Sequence, residues 1–255
     1  MPDFNHPVMV ATNGIQLAIY EEKPRGSAYP FPVILVHGMP ELAYSWRHQI
    51  PALAEAGFRV FAPNQRGYDG TGAPEAVEEY DIHNLTGDLI GLLDHYNLDQ
   101  AVFVGHDWGG LVVWQVPLLH PTRVMGLAGL GVPFIPRPER DPIEMFRAVF
   151  GEDMYIVNFQ TSHEADEYFS AHPERVFDLL MRRPRMTREE FDALPAEDKV
   201  PNLLERIKTA EPEGEPILSD AEKQVFIDTF RETGFTPPIN WYRNFSRNWR
   251  TTVHV

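Results

Sequence analysis

The sequence predicts an α/β fold with a mostly parallel sheet, followed by a separate helical layer, and three observations carry that prediction. Short apolar runs such as Pro32-Val33-Ile34-Leu35-Val36 and Phe58-Arg59-Val60-Phe61-Ala62 alternate with segments of helical periodicity, the pattern of parallel strands joined by helices. A further run, Ala101 to Val104, turns abruptly into a helix through Gly105-His106-Asp107-Trp108-Gly109-Gly110. From about Pro136 the β-branched runs vanish, and proline, charge and helical segments take their place.

In chain order, Val8 to Ala11 and Ile15 to Tyr20 read as a hairpin, because Asn13-Gly14 between them accommodates the positive φ of a tight turn. The strands ending at Val36 and Ala62 enclose a helical pattern from Tyr44 to Ala56. Leu85 to Tyr96 gives the next helix, Ala101 to Val104 a strand, Leu111 onward a helix that His120-Pro121 stops, and Val124 to Leu130 a further strand. In the second part Ile143 to Phe150, Pro173 to Met181 and Asp220 to Glu232 are helical, and the prolines and charges between Arg182 and Ser219 suggest a loop-rich connection. The expected domains are 1–135 (core), 136–248 (helical layer) and 249–255 (start of a return to the core).

Composition excludes several classes of function. A chain of 255 residues with 43% hydrophobic content builds one sizeable core. Its formal net charge of −15 repels nucleic acid and anionic membranes, so neither is an expected partner. No apolar run approaches the ~20 residues of a membrane span. The chain has no cysteine, hence no disulfide framework, and its first residues lack the basic and apolar pattern of a leader, so a cytoplasmic protein is expected. No metal-ligand spacing occurs, and no metal or cofactor is expected. Gly67-Tyr68-Asp69-Gly70-Thr71-Gly72 spaces its glycines G-x-x-G-x-G, which reads as a loop after a strand and not as a dinucleotide fingerprint.

The segment around Asp107 carries the chemistry. Glycines two residues either side of a central residue, between a strand and a helix, leave room for a strained turn that exposes the central side chain. Where such elbows hold serine, the alkoxide attacks acyl carbon; a carboxylate instead displaces a leaving group at saturated carbon and becomes an ester. Asp107 is therefore the candidate nucleophile of an enzyme that opens an epoxide or removes a halide.

The sequence resembles the soluble epoxide hydrolases of the α/β-hydrolase superfamily. The resemblance rests on His37-Gly38-Met39-Pro40-Glu41, Tyr44-Ser45-Trp46-Arg47, Gln49-Ile50-Pro51-Ala52-Leu53, Arg66-Gly67-Tyr68, the Asp107 elbow, Pro133-Phe134-Ile135-Pro136 and Asn240-Trp241-Tyr242-Arg243-Asn244. It implies an α/β-hydrolase fold with a helical cap, and Asp107 as the residue that attacks the epoxide. It also implies two cap tyrosines as proton donors to the epoxide oxygen: Tyr155, four residues ahead of Phe159-Gln160, and Tyr242. The backbone N–H groups of Met39 and Trp108 would form the oxyanion hole, with Trp108 and Phe134 lining the substrate site. The implied reactants are a small-molecule epoxide and water.

The chain departs from this family in one respect. The family places an acid and a water-activating histidine beyond the cap, and neither has a counterpart here; only Thr251-Thr252-Val253-His254-Val255 follow Arg250, and Leu127 to Phe134 contains no carboxylate that could substitute. The expectation is a C-terminally truncated hydrolase that forms an ester without cleaving it, with a second copy or a covering segment over the uncovered sheet. Haloalkane dehalogenases share the Asp-Trp elbow but commonly carry asparagine at the Met39 position and lack the tyrosine pair. Fluoroacetate dehalogenases usually have arginine where this chain has Trp108. A non-catalytic ligand-binding relative is the alternative of a different class; it needs neither the elbow nor the tyrosines.

Overall fold

The computed structural model of the protein describes residues 3–183, 186–195 and 199–254. Parts of two expected features, the 182–219 connection and the last residue of 249–255, lie outside them. Contacts divide the chain into two compact units, Met1–Arg137 with Arg250–Val255, and Pro138–Trp249.

The first unit is built on a six-stranded sheet. Strands β1 (Val8–Thr12) and β2 (Ile15–Glu22) form an antiparallel hairpin, with Asn13 at φ 43° and Gly14 at φ 80° in the turn. The Asn13 side chain donates to Asn84 O (3.1 Å) and to the Asp88 carboxylate (2.9 Å), tying the hairpin to a helix far along the chain. β3 (Val33–Val36), β4 (Val60–Asn64), β5 (Ala101–His106) and β6 (Val124–Leu130) complete the order β1-β2-β4-β3-β5-β6. β2 and β4 are antiparallel, and from β4 through β3 and β5 to β6 every pairing is parallel. Every residue of β3 and β4 is buried, as strands covered on both faces require.

The expected helix from Tyr44 to Ala56 is interrupted: a 3₁₀ turn covers Ala43–Trp46, and α1 spans Gln49–Glu55. α2 (Ile82–His95) starts three residues ahead of its apolar pattern, because the Asp81 side chain accepts from Asn84 N (3.0 Å) and caps it. α3 (Trp108–Leu119) follows the elbow, packs on β5 and β6, and contains Pro117.

The second unit is helical throughout its regular structure among the described residues: α4 (Pro142–Phe150), α5 (Tyr155–Asn158), α6 (Glu164–Ala171), α7 (Pro173–Leu180), α8 (Arg188–Asp192), α9 (Leu203–Thr209), α10 (Asp220–Thr233), α11 (Thr236–Arg243) and the start of α12 (Phe245–Thr251). Its core is aromatic, with Phe177, Phe226, Phe230 and Phe235 buried in mutual ring contact. Among its described residues the supposed loop-rich connection holds α8 and α9, and α9 buries Ile207 completely while packing on α7.

Candidate active site

Asp107 sits at the apex between β5 and α3, with φ 52° and ψ −121°. A side chain adopts that backbone only where its surroundings hold it. Asp107 N donates to Leu130 O (3.1 Å) and Asp107 O accepts from Leu111 N (3.1 Å), which fastens both sides of the turn. The flanking glycines are sterically required. A Cβ on Gly105 would lie 2.1 Å from Gly109 O, and one on Gly109 would lie 2.0 Å from Val36 O.

The loop after β3 meets this apex. A Cβ on Gly38 would fall 2.5 Å from Asp107 Cβ and 2.7 Å from its Oδ1, so only glycine allows the approach. That approach lets Met39 N donate to Asp107 Oδ1 at 3.0 Å, and the Trp108 N–H also bonds the carboxylate. Burial pushes the Asp107 pKa above the ordinary carboxylate value, and these two amides, which favour the ionised form, only partly offset it. The Met39-Pro40 peptide bond is cis.

Two groups that the sequence reading did not assign hold this loop in place. Gly38 N donates to Glu41 Oε2 (2.7 Å), and His106 Nδ1 lies 3.0 Å from the same oxygen. The hydrogen bond to Glu41 raises the His106 pKa against the effect of partial burial. Burial of Glu41 favours its acid form, yet the hydrogen bond and charge of His106 and the Gly38 amide outweigh it and hold its pKa low. Glu41 was visible as the last residue of the His37–Glu41 motif, but nothing in a linear sequence pairs it with a histidine 65 residues away.

His37 is structural, as its place in the loop suggests. Its Nε2 accepts from Gln65 N (3.0 Å), so Nδ1 carries the proton and donates to Gly38 O (2.9 Å). Burial lowers its pKa to about 4, which keeps it neutral at pH 7. The Gln65 side chain donates in turn to His37 O. The next residue, Arg66, grips Asp88 through both carboxylate oxygens (2.8 and 2.6 Å) and Asn13 O (3.1 Å), anchoring the β4 loop to α2 and to the hairpin.

Thus Asp107, Met39 and Trp108 come together in the first unit, and Phe134 is half exposed with its ring 5.8 Å from that of Trp114 on α3. In the second unit the structure pairs Tyr155 with Tyr242, their rings 5.7 Å apart at 71°. Phe159, fully buried, contacts both, at 5.6 and 5.3 Å. Among the described residues no group of three or more His, Cys, Asp or Glu side chains is placed to hold a metal ion. No described helix is long and apolar enough to cross a membrane.

A mostly parallel sheet, a strained strand-to-helix elbow and two backbone amides on the apical side chain define an α/β-hydrolase with a carboxylate in the nucleophile position. The model of the alpha/beta hydrolase fold matches residues 32–247. Epoxide hydrolase A of Mycobacterium tuberculosis is 47% identical over 250 residues, 97% of this chain and 76% of that protein. The bifunctional epoxide hydrolase 2 of Mus musculus is 36% identical over 252 residues, of which this chain spans 43%. The crystal structure of epoxide hydrolase A from Mycobacterium thermoresistibile superposes with a TM-score of 0.84 at 44% identity, over 100% of this chain and 78% of that one. The chain belongs to the epoxide hydrolases of the α/β-hydrolase superfamily.

Proposed function

We propose that this chain opens a small epoxide through a covalent ester on Asp107. The observation that carries the reading is the convergence of the Met39 and Trp108 amides on a buried carboxylate that the elbow presents. One Asp107 oxygen attacks a ring carbon; that C–O bond breaks, and its electron pair passes to the departing oxygen. This alkoxide is far more basic than water, so a phenol of Tyr155 or Tyr242 supplies its proton and takes one back from solvent. The result is a 2-hydroxyalkyl ester of Asp107.

Cleavage of the ester requires water to add to its carbonyl carbon, placing negative charge on the oxygen that the Met39 and Trp108 amides face. Release of the diol then restores the carboxylate. A histidine in contact with the reacting water normally takes its proton. The two histidines beside the elbow are otherwise engaged: His37 is neutral and bonded at both ring nitrogens, and His106 bonds Glu41. We therefore expect this chain on its own to accumulate the ester. A halide needs no proton on leaving, so a dehalogenase would have no use for the tyrosine pair.

Incubation with styrene oxide, followed by chromatography of epoxide and diol, tests the reading. The expected result is consumption of one epoxide per chain with little diol. Sustained diol formation contradicts the stalled ester, and absence of any consumption contradicts epoxide opening.

A further inference from the structure

Tyr242 precedes a densely bonded polar group of the second unit, the Arg243 guanidinium. Its Nε donates to Phe159 O (2.9 Å). One terminal nitrogen donates to Asp166 Oδ1 and Asn240 Oδ1 (2.8 Å each), the other to Asp166 Oδ2 (2.7 Å) and Ser162 O (3.1 Å). That second nitrogen also lies 3.2 Å from His163 Nδ1. The Arg243 and Asp166 side chains are only 7% and 4% exposed, so the pair is a buried one.

Gln160 supplies a second tie. Its amide nitrogen donates to Ile156 O (2.8 Å), within the turn that carries Tyr155, and to Tyr242 O (2.9 Å) on α11. The two N–H groups of one amide therefore join the backbone behind one tyrosine to the backbone of the other. Arg243 fixes the same two elements one step further on, from the residue after Tyr242 to the carbonyl of Phe159, whose ring touches both tyrosines.

We propose that Arg243 and Gln160 are positioning residues that hold the Tyr242 phenol at a fixed distance and angle from that of Tyr155, so that two donors converge on one oxygen. The proposal rests on the tyrosine pair acting as the proton donor in epoxide opening. A buried ion pair adds little net stability over apolar packing of the same volume. What the guanidinium supplies beyond packing is a planar fork that bonds three separate backbone and side-chain segments at once. Lysine, with a single nitrogen, keeps the charge and loses the fork.

The test is the rate of ester formation with styrene oxide, followed by the mass of the full chain, for Arg243→Lys, Gln160→Met, Tyr242→Phe and the combinations of each of the first two with Tyr242→Phe. Circular dichroism checks that each variant is folded. For Arg243→Lys and Gln160→Met we expect the maximal rate to fall by about tenfold to a hundredfold, with the half-saturating epoxide concentration nearly unchanged. In the Tyr242→Phe background the same substitutions are expected to change the rate by no more than about twofold, because the group they position is gone. An equal loss in both backgrounds overturns the proposal, since it would show a role independent of Tyr242. So does a wild-type rate for Gln160→Met, which also decides the matter if Arg243→Lys fails to fold. If Tyr155→Phe and Tyr242→Phe both react at the wild-type rate, the tyrosines are not the proton donors, and the underlying reading fails on its own evidence.

Discussion

Asp107 reconciles two opposed demands. Burial raises its pKa, whereas a nucleophile must be ionised, and the Met39 and Trp108 amides restore part of the balance. Gly38 makes that contact sterically possible. Gly38→Ala is expected to displace the loop, abolish measurable ester formation and cost on the order of 1–3 kcal/mol of stability; an unchanged rate would show that the Met39 amide is dispensable. The Glu41–His106 pair yields a pH signature. With the His106 pKa above its ordinary 6.5 and that of Glu41 below its ordinary 4.5, the contribution of the pair is complete between those values. It is lost on the acid side as Glu41 protonates through its lowered pKa, and on the alkaline side as His106 deprotonates through its raised one. His37 acts differently: unfolding takes up its proton between pH 6.5 and about 4, so stability falls with acid across that range. Glu41→Gln should therefore lower Tm more at about pH 5.5 than at about pH 9, and a loss equal at both would contradict the pairing. The elbow was legible in sequence because its glycines stand two residues either side of the nucleophile. The Glu41–His106 contact was not, because side-chain partners that distant leave no local pattern.

At the scale of elements, β3 and β4 were legible because burial on both faces gives unbroken apolar runs, and β6, which is only partly buried, still matches its expected bounds from Val124 to Leu130. Helices with caps were displaced by a few residues, as Asp81 shows for α2. α9 was missed because prolines and charges surround it and its apolar positions are few. Its local signals were Asn202, whose side chain accepts from Glu205 N (3.1 Å), and Arg175, which donates to Ile207 O and Ala210 O (2.7 and 2.9 Å) at its end. The first of these could be read from the sequence; the second depends on the fold. If α9 is part of the core, Ile207→Ala costs about 2–5 kcal/mol in urea unfolding. A cost near zero would show a surface helix.

At the scale of the whole molecule, alternation of strand and helix made the sheet legible but not the order of its strands. β4 lies between β2 and β3, a placement set by pairings across the chain that hairpin signals do not encode. The same order leaves β6 at one edge, and Met125 and Leu130 on it are exposed. An open strand without charge presents unpaired backbone groups to other chains. Light scattering after size exclusion is expected to show association that grows with concentration; a monomer at every concentration would contradict it. The central claim is the covalent role of Asp107, and the most direct measurement is the intact mass of the purified chain before and after styrene oxide, with peptide mapping of the product. An increase by one epoxide, located on Asp107 and absent from Asp107→Ala, is the expected result. An adduct on another residue, or one that persists in Asp107→Ala, would contradict it.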